Sequence, residues 1–377
     1  MRLMKPKFQS YAEAKRNIEK AGLELASFNH CETSEVRLPF LLGVDGKPVF
    51  EVHDFLHEKM FYLGSYKSLN SIRTYSESLQ HWFVYLEGED LEWKSVSVRN
   101  IVGYRNYMKS SGGTSRKSLS AATVNLRINV VVEFYRYWWS EQYRSHGSVQ
   151  AKSNIERSRS RTVRLRVNAD RKGARALTLE SCAEIYSQLK GVHRLVFLWC
   201  VCTGMRISSV LNLELSQFNR LAEAGGHGFI EVEVKGGRKQ SVYVPGLVTE
   251  ETISYILVER CLTPSINSDS EEKLFLNSRG QYVTRGCYYS AFKRGCAAKN
   301  IKSNPHQTRA TFATHLESRL QPVKDTHHLD PLKIIQGLLG HASSDTTQMY
   351  LENIKGRHIN VTGLIEDYAN VFREYEG

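Results

Sequence analysis

Between residues 48 and 142 apolar positions recur every three or four residues, the spacing of a single helix face. The pattern predicts helices at 49–61, 70–86, 96–108 and 121–139, the second carrying Ile72, Tyr75, Leu79, Trp82 and Phe83 on one side. Leu63-Gly64 and Ser110-Ser111-Gly112-Gly113 interrupt it as breaks. Short amphipathic helices bury their stripes mainly against one another, so residues 47–142 are expected to form a small helical bundle. Tyr135, Tyr137, Trp138 and Trp139 interleave with basic residues here, and aromatics at helical spacing read as core.

The pattern changes twice more. From 143 to 176 no apolar period is sustained and Ser is frequent, the mark of an extended linker. From 177 to 358 a second domain is expected. It starts with a nearly continuous apolar helix at 183–202, closed by Thr203-Gly204, and a second helix then begins at Arg206 with Ile207, Val210 and Leu211 facing inward. Stretches 228–234 and 240–244, rich in Val, Ile and Tyr, predict two strands joined through a Gly236-Gly237 turn. A helix at 331–339 stops at Gly340. The tail, 359–377, is amphipathic through Val361, Leu364, Ile365, Tyr368, Val371, Phe372 and Tyr375. The first 46 residues predict a helix at 11–25, a short strand at 36–42 and a turn at 44–47, and nothing in them assigns a role. The expected fold class is therefore mainly α, with one small β-hairpin in the second domain.

Charge adds a class of partner. The 377 residues carry a formal net charge of +12. Such a field attracts polyanions, and a nucleic-acid backbone returns free energy through counterion release. The linker holds ten Lys or Arg (Arg144, Lys152, Arg157, Arg159, Arg161, Arg164, Arg166, Arg171, Lys172 and Arg175) against Glu156 and Asp170, a surplus of eight. A solvated loop is the plain reading of a charge run; between two domains that grip DNA it would track phosphates, with Arg157, Arg159, Arg161, Arg164 and Arg166 as the contacts, joined by Arg238 and Lys239 farther along the chain. The longest apolar run, 195–202, is far short of a membrane span, and residues 1–8 lack the apolar core of a signal peptide. Seven irregularly spaced cysteines without a paired C-x-x-C point to a reducing cytoplasm, where the chain would be nucleoid-associated. His53 and His57 have i,i+4 spacing without convincing further ligands, so no metal site is expected.

The candidate chemistry lies in five short motifs. Thr203-Gly204-Met205-Arg206, His306-Gln307-Thr308-Arg309 and Leu339-Gly340-His341 occur in that order, with Lys235 in Val234-Lys235-Gly236-Gly237-Arg238-Lys239 between the first two and Tyr350 nine residues after His341. Guanidinium forks match phosphate oxygens and stay protonated, which suits Arg206 and Arg309 as a clamp. Imidazoles donate hydrogen bonds or move protons near neutrality, which suits His306 and His341. A tyrosine hydroxyl becomes a nucleophile when cations and a base surround it. Pro305 suits a first helical turn, which would set His306 and Arg309 on one helical face.

This ordered set resembles the tyrosine recombinase family of phage integrases and Xer-type enzymes. The resemblance implies a two-domain DNA clamp, a helical SAM-like core-binding domain followed by a catalytic domain. It implies site-specific DNA cleavage and rejoining through a 3′-phosphotyrosyl intermediate, in integration, excision or transposition of a mobile element. Tyr350 would be the nucleophile, Lys235 the general acid, with Arg238 or Lys239 as competitors, and His306 the general base. No metal or cofactor is implied, because the ester conserves the bond energy. The partners would be double-stranded DNA with paired half-sites and further copies in a homotetramer, with or without sister recombinases, the tail docking on a neighbouring protomer; folding back on its own domain is the other reading of that helix. Two features depart from the family pattern: Ser209 stands where an acid is common, and 318–330 is longer than usual. A type IB topoisomerase-like relaxing enzyme shares the catalytic set, and a DNA-binding protein with a vestigial site is the non-enzymatic alternative.

Overall fold

The computed structural model describes residues 7–9, 38–41, 49–59, 69–110, 118–138, 165–168, 175–223, 225–234, 238–263, 268–327, 330–339 and 360–375. The chain divides into two units, Met1–Arg171 and Lys172–Gly377, each with its own hydrophobic core.

In the first unit two short strands, β1 (Lys7–Gln9) and β2 (Leu38–Phe40), pair antiparallel. Four helices follow: α1 (Phe50–His57), α2 (Leu69–Gly88), α3 (Val98–Lys109) and α4 (Ala121–Trp138). They match the four predicted helices. Asn100 accepts the Ser97 backbone N–H at 2.8 Å, filling one of the donors that a helix start leaves open in α3. Of the aromatic stripe, Trp139 lies outside the described residues, Tyr135 and Trp138 are buried, and Tyr137 packs half-buried against the same core, which Phe55, Trp82, Tyr104 and Phe134 fill. Their polar ends are satisfied in place, since Trp82 Nε1 donates to the Tyr135 hydroxyl, which donates to the Trp93 carbonyl at 2.9 Å.

Within the predicted linker, residues 165–168 are anchored. Leu165 and Val167 pack on the core of the first unit, and the Asn125 side chain of α4 clasps Val167 twice, accepting its N–H at 2.7 Å and donating to its carbonyl at 2.8 Å. One amide thus does for this segment what a neighbouring strand would do. The predicted helix at 11–25 lies outside the described residues.

In the second unit the single apolar helix expected at 183–202 is two, α5 (Leu179–Gln188) and α6 (Val192–Thr203). Gly191 separates them with φ of 51°, a left-handed conformation that breaks the helix while the apolar period runs on through Leu189 and Val192, both buried. After these come α7 (Ile207–Leu211), α8 (Leu215–Glu223), strands β3 (Gly228–Val234) and β4 (Arg238–Val244), and α9 (Gly246–Tyr255), which continues in wider turns to Arg260. The hairpin is antiparallel, from Gly228 opposite Val244 to Val234 opposite Arg238. Then follow α10 (Ser268–Glu272), α11 (Arg285–Ala298), α12 (Gln307–His327), α13 (Pro331–Leu338) and α14 (Val361–Asn370). Much of the long 318–330 stretch is a continuation of α12, with Pro322 inside it.

In the single chain, helix α14 folds back on its own domain, one of the two readings of the tail. Its apolar face is already used: Val361, Ile365, Tyr368, Ala369 and Phe372 belong to the core of their own unit. Tyr368 packs edge-on against Phe312 and stacks with His315 of α12, and Phe372 reaches Tyr186 of α5. Glu366 accepts from the Tyr243 hydroxyl at 2.7 Å and from the Gly246 N–H at 3.1 Å, a carboxylate at the positive start of α9. Burial and the adjacent Glu366 carboxylate push the Tyr243 hydroxyl pKa up, so it donates throughout the physiological range.

No helix among the described residues is long and apolar enough to cross a membrane, and no group of three or more His, Cys, Asp or Glu there is placed to hold a metal ion.

The buried tail generates a paired prediction. Tyr368 is fully buried, and its hydroxyl has no hydrogen-bond partner among the described residues. Tyr368→Ala should cost ~3–5 kcal/mol of unfolding free energy, the range for emptying a buried aromatic site. Tyr368→Phe should be neutral or stabilising, because it removes an unsatisfied polar atom. Denaturant unfolding of the full chain measures both.

Candidate active site

The turn after α6 is built around Gly204, the left-handed cap of that helix with φ of 65°. A Cβ here would lie 2.5 Å from Phe312 Cδ1 and 2.8 Å from Leu339 Cδ2, so the glycine is required twice, by conformation and by space. Thr203 closes the same turn: its hydroxyl donates to the Trp199 carbonyl at 2.6 Å and accepts the Met205 N–H at 3.2 Å. The chain then turns extended at Arg206, the cap residue of α7, whose carbonyl accepts from Ser209 and Val210 at 2.8 and 3.0 Å. These constraints place the half-buried Arg206 side chain at the head of α7. Ser209, where an acid is common in the family pattern, is buried one turn on.

Arg309 enters from α12 and is only 7% exposed. One guanidinium nitrogen, Nη1, donates to the Gly204 carbonyl at 2.8 Å, and Nη2 donates to the Leu339 carbonyl at the end of α13. Burial first and the nearby Arg206 charge second lower its pKa to about 10, which leaves it protonated at neutral pH. Neither Arg206 nor Arg309 has a carboxylate partner among the described residues. The fold has therefore brought two cations within electrostatic reach, with no anion among the described residues to separate them.

His306 departs from the expectation of a shared face. Helix α12 begins at Gln307, so His306 lies in the preceding turn and is exposed while Arg309 is buried. Its backbone N–H donates to Asn304 Oδ1 at 3.0 Å, and Gln307 Oε1 accepts the Asn304 N–H at 2.9 Å. The Asn304 side chain thus caps the turn through His306, and the Gln307 side chain reaches back to the Asn304 backbone, so the chain enters the helix only at Gln307.

The remaining candidates divide by position. Lys235, His341 and Tyr350 lie outside the described residues, as do Arg157, Arg159, Arg161 and Arg164. Arg238 begins β4. Lys239 is exposed and sits 3.4 Å from Glu231 Oε2 across the hairpin, a surface ion pair of small energetic weight. Arg166 is held in the first unit, donating to Asn129 Oδ1 at 3.3 Å.

One residue escaped the sequence reading. Gln240, buried in β4, donates from Nε2 to the Leu338 carbonyl at 2.8 Å. The available signal was alternation: Gln240 shares the inward register of Val242 and Val244, where a polar residue calls for a partner.

Residues 174–357 match the model of the phage integrase family, and residues 62–142 match that of the phage integrase N-terminal SAM-like domain. A tyrosine recombinase XerD from Oceanobacillus iheyensis is 24% identical over 312 residues, covering 82% of this chain and 95% of that protein. Among solved structures, XerH site-specific recombinase bound to a palindromic difH substrate in a post-cleavage complex aligns with a TM-score of 0.55 at 19% identity, over 86% of this chain and 95% of that one. A lambda integrase dimer bound to a COC′ core site aligns with a TM-score of 0.53 at 16% identity, over 78% and 95%. At these identities the structures show a shared fold, mainly helical with a small two-stranded hairpin.

The tight turn at Gly204 generates the next prediction. Gly204→Ala should destabilise the second unit, by ~1–2 kcal/mol for the left-handed backbone alone and further through the contacts with Phe312 and Leu339. Chemical denaturation reports the total. A stability loss within error of zero would mean that the turn can relax.

Proposed function

The chain belongs to the phage integrase family of tyrosine recombinases, enzymes that cleave and rejoin DNA at specific sites, and we propose that it does so through Tyr350 as a covalent nucleophile. The observation that carries this reading is the pair Arg206 and Arg309, cations held close together without a protein counter-anion among the described residues. A phosphodiester supplies the missing negative charge, and it gains more during attack as charge develops on its non-bridging oxygens.

The reaction then follows from the residues. Tyr350 oxygen attacks phosphorus and its proton passes to His306, which is exposed three residues before the buried Arg309. Arg206, Arg309 and His341 stabilise the non-bridging oxygens, and Lys235 gives a proton to the departing 5′ oxygen. A 5′ hydroxyl from a second strand reverses these steps on the phosphotyrosine. Bond energy is conserved, so the scheme needs no nucleotide hydrolysis.

Residues 47–142 would serve as the core-binding domain, 177–358 as the catalytic domain, and the arginines of 143–176 as phosphate contacts on the connecting strand. The enzyme would act in the cytoplasm on paired half-sites, as a homotetramer with or without sister recombinases. With α14 buried in its own unit, such an assembly would need other surfaces or the release of that helix. Strand exchange between two duplexes separates this reading from a relaxing topoisomerase.

Tyr350→Phe should bind DNA normally and form no covalent adduct on a nicked suicide substrate resolved by denaturing electrophoresis; an adduct in this variant overturns the assignment. Arg206→Ala and Arg309→Ala should each lose cleavage by roughly 100-fold or more, the cost of removing a preorganised charge stabiliser.

Lys235→Ala should recover cleavage on a substrate with sulfur at the bridging 5′ position, because a thiolate leaves without a proton donor. Arg206→Ala should recover far less. Equal failure of Lys235→Ala on both substrates would move the acid to another residue, with Lys239 the first to test.

A further inference from the structure

Helix α13 ends at Leu338, and its last carbonyls have no partner within the helix. Two side chains from distant parts of the second unit take them. Arg309 of α12 donates to the Leu339 carbonyl, and Gln240 of β4 donates to the Leu338 carbonyl at 2.8 Å. Both donors are 7% exposed. Two residues beyond this point along the chain stands His341, and five residues before Gln240 stands Lys235. Gln240 is thus the hydrogen bond that joins the hairpin arm following Lys235 to the helix end preceding His341.

We propose that Gln240 is a positioning residue for cleavage, fixing the α13 terminus relative to the hairpin so that the groups beyond each are presented to the same phosphate. The inference rests on the functional reading given above. Gln240 touches no reacting atom in this scheme. Its neighbours Val232 and Val242 are buried and apolar, so a variant without an amide donor takes from the Leu338 carbonyl a partner that these adjacent side chains do not replace.

The test uses the full chain with Gln240→Met, similar in length and without a donor, and Gln240→Glu. In single-turnover cleavage at saturating DNA, Gln240→Met should lose roughly 10–100-fold in rate, the scale of a displaced catalytic group, with half-saturation by DNA unchanged. A carboxyl at this position can donate only when protonated, so Gln240→Glu should be impaired at high pH and approach the wild type as pH falls, relative to a wild-type profile measured in parallel. Hydrogen exchange should rise in the peptide following Leu338 in Gln240→Met, and this readout does not depend on catalysis. A wild-type chain that forms no adduct overturns the functional reading, whereas a cleaving wild type matched by Gln240→Met, or unchanged exchange after Leu338, overturns the role of Gln240 alone. A parallel fall in rate and DNA affinity, with no pH-dependent return in Gln240→Glu, would mean that the residue is merely structural.

Discussion

The second unit depends on one guanidinium. Arg309 bonds the Gly204 carbonyl at the end of α6 and the Leu339 carbonyl at the end of α13, so a single planar group gathers the turn before Arg206 and the segment before His341. Helix C-termini carry partial negative charge, and both acceptors lie at such ends. Burying a cation costs free energy that hydrogen bonds must offset, and neutral carbonyls offset it without cancelling the charge. The guanidinium remains a cation for a ligand while already serving as a strut. Gly204 completes the arrangement, since a side chain there would meet Phe312 and Leu339 and hold the two ends apart.

The tail helix adds to this through α12 itself. Phe312, His315 and Arg319 of that helix face Tyr368, so the element that carries Arg309 is braced by a segment near the end of the chain. Glu366 adds a polar tie to the start of α9 and to Tyr243 of β4. Hairpin, α9 and α14 are therefore linked through one carboxylate.

The helical bundle was legible because amphipathic period is a direct record of burial, and the family because its motifs fix residue types over three or four positions. The break at Gly191 was hidden by apolar residues that continue on both sides of it, although the glycine itself was the signal. The burial of α14 could not be read, because an apolar stripe states that a face is covered without naming what covers it. The shared face expected for His306 and Arg309 followed from weighing Pro305 alone; Asn304 bonds the His306 N–H and Gln307 the Asn304 N–H, and the helix starts at Gln307. Gln240 was passed over because a single polar residue in a hairpin strand looks like an outward position until the register is known.

The clasp of Asn125 on Val167 separates two properties of the basic segment. Its hydrogen bonds join an uncharged amide to backbone, so ionic strength has little hold on them. The phosphate contacts proposed for the neighbouring arginines would weaken steeply with salt, in proportion to the number of charges neutralised. Raising salt would then release DNA while leaving this anchor closed. The salt slope of binding would count arginine–phosphate contacts without an added contribution from unfastening the chain.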